Sequence, residues 1–110
     1  GFIGVINAQP NPTYKGLPIS IAYTLRNISC DDPDDFIVQI VVINSDTGIV
    51  YETFETPANC RKGTFSMGGF VIFTTSYETC VYRLNMQVVS EKTKISHLLT
   101  GISLEIKSIF

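Results

Sequence analysis

Tryptophan is absent from the 110 residues of this chain, histidine occurs once, and charged residues make up only 16%. That inventory leaves little for metal or nucleophile chemistry. The formal charge is −2, and without a basic excess a surface that binds nucleic acid by neutralising phosphates is not expected. No run comes near the roughly 20 apolar residues needed to span a bilayer. Disorder is excluded from the other side: 45% of the residues are hydrophobic, and a disordered chain is apolar-poor and charge-rich. The length suits one domain, spanning 1–110.

Cysteine is sparse as well. Cys30, Cys60 and Cys80 are an odd count, so they are no disulfide framework, and none of their spacings matches a zinc knuckle. At most one bridge can form within the chain. The sequence starts at Gly1 without a Met and stops on the apolar Ser108-Ile109-Phe110, which reads as a domain excised from a longer protein.

What is present is alternation. Ile19, Ile21, Tyr23 and Leu25 are separated by polar or small residues, as are Tyr82, Leu84, Met86 and Val88, and Ile102, Leu104 and Ile106. Successive strand residues face opposite ways, so each set lines one buried face. Residues 36–44 are apolar on both faces, which suits a central strand covered on both sides or one meeting a neighbouring domain. Ser45-Asp46-Thr47-Gly48 then supplies a turn, with Gly48 available for a positive φ. The pair Gly68-Gly69 inside an apolar run signals a bulge or a close backbone approach. No long window holds a helical period, and the prolines sit between the runs. Strands are expected at 2–7, 19–27, 36–44, 49–55, 64–74, 80–90 and 95–109, the last broken at Gly101. Turn signals every ~8–12 residues make this an all-β, immunoglobulin-like antiparallel sandwich of about seven strands. Reversal at each connection puts Cys30 and Cys60 at one end and Cys80 at the other.

The stretch Asn11-Pro12-Thr13-Tyr14-Lys15-Gly16-Leu17-Pro18, continuing through Ile19-Ser20-Ile21-Ala22-Tyr23-Thr24-Leu25-Arg26-Asn27, resembles the opening of bacterial immunoglobulin-like surface repeats of the CARDB type (cell adhesion related domain found in bacteria). Those run "P-x-x-x-G-x-x-v-x-i-x-y-t-v-x-N", with the strand ending on Asn. Residues 41–54 resemble the following hairpin, and 63–73 and 82–89 do so more weakly. The resemblance implies a non-catalytic structural or adhesion module of a cell-surface or secreted bacterial protein, extracellular or periplasmic. Its partners would be neighbouring domains of the same chain, a surface protein or a glycan. A carbohydrate- or protein-binding accessory domain of a secreted enzyme is the alternative. The family brings no catalytic residues to this chain.

Four carboxylates in five positions, Asp31, Asp32, Asp34 and Asp35, are the one charge cluster and the candidate calcium ligands. Their spacing does not match the calcium-loop motif, and the ordinary alternative is a solvated turn built on Asp32-Pro33. No other cofactor is expected. A Cys30–Cys60 bridge in an exported chain would close a loop of roughly 30 residues and add about 3–4 kcal/mol; against it, buried free cysteine is an ordinary small hydrophobe. Cys80 reads as a core residue. His97 has no Cys or His nearby to share a metal, and Arg61-Lys62 is normal loop chemistry. Asn27-Ile28-Ser29 is formally a glycosylation acceptor. Tyr14 and Tyr77 fall in loops at the same end, where aromatic faces could stack on sugar.

Overall fold

The computed structural model describes residues 1–109; Phe110, the last residue of the expected domain, lies outside the described residues. Eight strands carry the described chain: β1 (Phe2–Gln9), β2 (Thr13–Tyr14), β3 (Pro18–Asn27), β4 (Phe36–Asn44), β5 (Val50–Pro57), β6 (Phe65–Phe73), β7 (Val81–Ser90) and β8 (Ser96–Lys107). Among the described residues the helical pieces are 3-10 turns at Pro33–Asp35 and Thr74–Ser76. Three strands form one sheet in the order β1-β3-β6, and five form the other in the order β2-β8-β7-β4-β5. The two sheets pack face to face as an immunoglobulin-like sandwich, antiparallel except for the β2–β8 pair.

Alternation places the core as expected. Ile19, Ile21 and Leu25 of β3 meet Val38, Ile40 and Val42 of β4, Leu84, Met86 and Val88 of β7, and Leu104 and Ile106 of β8. All are nearly or fully buried. Each such side chain contributes about 1.5–3 kcal/mol by leaving water. The turn after β4 closes with Gly48 at φ +73, its N–H donating to the Asn44 carbonyl at 2.8 Å.

The expected sandwich is joined, among the described residues, by a short extra strand: β2 pairs parallel with β8, where the Lys15 N–H donates to the Lys107 carbonyl at 2.9 Å. Two residues carry no readable periodicity. The last strand is not broken at Gly101. It runs through, and a register shift opposite Met86 and Gln87 leaves Leu99 as the extra residue, packed over Gly4. Of the two readings of the doubly apolar β4, the interior strand is seen, between β7 and β5, with Val41 9% exposed and Ile37 and Ile43 half-buried.

The Gly68-Gly69 pair proves to be a close approach. The β3–β6 register is unbroken, and a Cβ on Gly69 would lie 2.7 Å from the Ile21 carbonyl oxygen. The Tyr23 ring lies across Gly68 in the space a side chain would take.

Candidate functional site

One end of the sandwich gathers the loops after β3, β5 and β7, and Asn27 organises it. This residue ends β3 and is wholly buried. Its amide donates to the Cys30 carbonyl at 2.9 Å and the Cys60 carbonyl at 2.7 Å, and its Oδ1 accepts from the Cys30 N–H at 2.8 Å. Both amide hydrogens are therefore committed in the fold. In this fold the Asn of the formal glycosylation acceptor is a structural pin. Cys30 and Cys60 do share this end, but all three cysteines are free thiols. The buried Cys60 thiol faces the carbonyls of Leu25 and Thr64. Cys30 lines a cleft of about 490 Å³ with Phe2, Phe36 and the exposed His97. Cys80 lies at the other end, half-buried against the core, its sulfur accepting from the Asn44 amide at 3.6 Å.

The aspartates lie on the same end as Asn27. Asp31 pairs with Lys62 at 3.1 Å, and Asp35 with Lys92 at 3.0 Å. The 3-10 turn is closed by the Asp35 N–H on the Asp32 carbonyl at 3.2 Å. Asp35 raises the Lys92 pKa by accepting its hydrogen bond. Among the described residues no three of His, Cys, Asp and Glu come together to hold a metal ion.

The opposite end is built on tyrosine. Tyr77 is wholly buried, its ring 4.3 Å from that of Tyr51 and 5.2 Å from that of Tyr82. The Tyr82 hydroxyl donates to the Glu78 carbonyl at 2.9 Å, the tyrosine-corner bond that ties the turn between β6 and β7 to the start of β7. Burial, then the Glu52 carboxylate, holds the Tyr77 phenol well above its ordinary range. Burial, then the Cys80 thiol, does the same for Tyr82. The expected sugar platform of Tyr14 and Tyr77 is therefore not there, since only Tyr14 is exposed. Thr74, also buried, accepts from the Gly16 N–H and donates to the Leu17 carbonyl, pinning the loop before β3 to this corner.

Sequence reasoning missed the outer face of the three-stranded sheet. Ile3 and Val5 of β1 and Phe65, Met67, Val71 and Phe73 of β6 all point away from the core, between 45% and 76% exposed. A shallow groove of about 630 Å³ crosses it between β1 and β6. The signal was present: β6 is apolar at nearly every position, so one apolar set must lie outside.

No model of a known protein family matches the chain, and no curated protein does. Solved structures do. The CARDB domain of a Pyrococcus furiosus protein, in complex with di-metal ions, superposes with TM-score 0.69 at 14% identity, covering 98% of this chain and 94% of that one. Two structures of β-glucosidase from Listeria innocua, with glucose and with gluconolactone, match at TM-scores 0.54 and 0.57 and 12% identity. They cover 97% of this chain but only 16% of the enzyme. The likeness is one of fold, and the fold of this chain is that of a CARDB domain.

Proposed function

We propose that this chain is a non-catalytic immunoglobulin-like spacer or adhesion module of an exported protein. One observation carries the reading most of the way. Gly1 sits beside Ile28 and Ser29 at the Asn27 end, while β8 delivers Lys107 to the tyrosine end. The described chain therefore enters at one end and leaves at the other of a body 51 Å long and 24 by 16 Å across. In-line ends are what a spacer needs, because each module then adds its full length to a stalk. The likeness over nearly the whole of a CARDB domain supports the same reading.

A second reading, an accessory domain of a secreted enzyme, is favoured by the Listeria innocua β-glucosidases, in which a region of this fold is a small part of the chain. Determining the sequence that flanks this domain in its gene separates the two. An export signal with further repeats of about 100 residues supports the spacer. A single copy fused to a catalytic domain supports the accessory reading, and an unexported parent overturns both.

A further inference from the structure

A sheet edge is a row of unpaired N–H and C=O groups, and proteins normally guard it with charge, proline, a bulge or brevity. Among the described strands the edges other than that of β6 are short, guarded or packed, the part of β8 that β2 leaves uncovered lying against β1. β2 has two residues. β5 has a register shift at one end and Pro57 at the other. Because Ala58 donates to Phe36, the outward backbone positions of β5 are those of Thr53, Glu55 and Pro57. β1 packs against β8, with Leu99 lying over Gly4.

β6 is not guarded. Its nine residues, Phe65-Ser66-Met67-Gly68-Gly69-Phe70-Val71-Ile72-Phe73, hold no charge and no proline, and their register with β3 has no shift. The Asn27 N–H donates to the Thr64 carbonyl, and in an antiparallel ladder bonded and unbonded pairs alternate. Thus Ser66, Gly68, Phe70 and Ile72 bond to β3. Phe65, Met67, Gly69, Val71 and Phe73 turn their backbone groups to the free edge. Those same five residues carry the outward side chains, and their pattern is symmetric about its centre: Phe, Met, Gly, Val, Phe.

We propose that the occupant of this edge is a second copy of the chain, its β6 pairing antiparallel with β6 about a two-fold axis at Gly69. An isologous contact requires a surface complementary to itself, and this register supplies one. Phe65 meets Phe73 of the second copy, Met67 meets Val71, and Gly69 meets Gly69. Every outward backbone group of the strand then finds a partner, in about ten hydrogen bonds. No like charges oppose each other. The two three-stranded sheets become one of six strands, and the outward side chains of both copies form one apolar strip.

The test is sedimentation of the 110-residue chain between roughly 1 µM and 1 mM, with amide exchange at the two extremes. A dimer is expected, with protection appearing on association at Met67, Gly69 and Val71 and unchanged at Gly68 and Phe70. The double variant M67K/V71K places lysine opposite lysine twice and weakens the dimer at least about tenfold. M67K/V71E places opposite charges together only in this register and restores it. Val5→Lys, two strands from the edge, leaves it intact. A chain monomeric throughout, a dimer indifferent to M67K/V71K, or one lost in Val5→Lys overturns the proposal. If M67K/V71K does not fold, the exchange pattern of the unaltered chain decides.

Discussion

Asn27 donates both amide hydrogens and accepts one bond, all to backbone of the loops it joins. Truncation strips partners from the Cys30 and Cys60 carbonyls and the Cys30 N–H in a buried setting, where an unmet polar group costs about 1–3 kcal/mol. Asn27→Ala should therefore destabilise the fold by about 2–4 kcal/mol, read as a fall in melting temperature of roughly 10 °C or more. A loss within experimental error would show that the loops hold without it. Sequence gave this residue two roles, the end of a strand and a formal glycosylation site. Its buried bonds were not legible, because their partners are carbonyls three and 33 positions away. The cysteines belong to the same corner. With Cys60 turned toward Leu25 and Thr64, counting thiols under denaturing, non-reducing conditions should return three per chain. A count of one would establish a bridge.

At the scale of the element, alternation made β3 and β7 readable to within a residue and β8 to within two, the expected break at Gly101 aside, because burying one face enforces a period of two; β4 was readable as an unbroken apolar run. β2 escaped, since its place is set by the free edge of β8 rather than by its own residues. So did the exposure of β6: its apolar pattern shows two apolar faces, but which one meets the core depends on pairing with β3. The aspartate loop was legible as a charge cluster and not as a geometry. In the fold, Asp31 and Asp35 are turned to Lys62 and Lys92, and no third ligand joins any two of them among the described residues. Exposed ion pairs of this kind are worth little, so the obstacle to calcium is the divergence of the carboxylates. A calcium site of millimolar affinity would add about 1.4 kcal/mol at tenfold excess over its dissociation constant, a shift of several degrees. The expected outcome is a melting curve unchanged by calcium. A rise reversed by EDTA would mean that the loop re-forms around the ion.

At the scale of the whole molecule, the two sheets are held together at one end by Asn27 and at the other by Tyr51, Tyr77 and Tyr82. Tyr51 and Tyr82 come from the five-stranded sheet, and Tyr77 from the turn that follows β6. This coupling has a consequence at high pH. The Tyr77 phenol is raised above its ordinary value of 10.0, by burial and then Glu52, and the Tyr82 phenol by burial and then Cys80. In both cases the native state holds a proton that the unfolded state releases more readily. Stability therefore falls with rising pH wherever the native state binds more protons. Their contribution is fully present below the unfolded value of about 10 and is lost progressively above it. Two of the five tyrosines should thus ionise only as the fold is lost, the phenolate absorbance of these two rising together with the loss of the β-sheet circular dichroism. Tyr77→Phe removes one of the two titrating groups and should move the alkaline midpoint upward. If all five phenols ionised reversibly with the dichroism unchanged, the tyrosine end would be open to water and would not be the clamp that joins the two sheets.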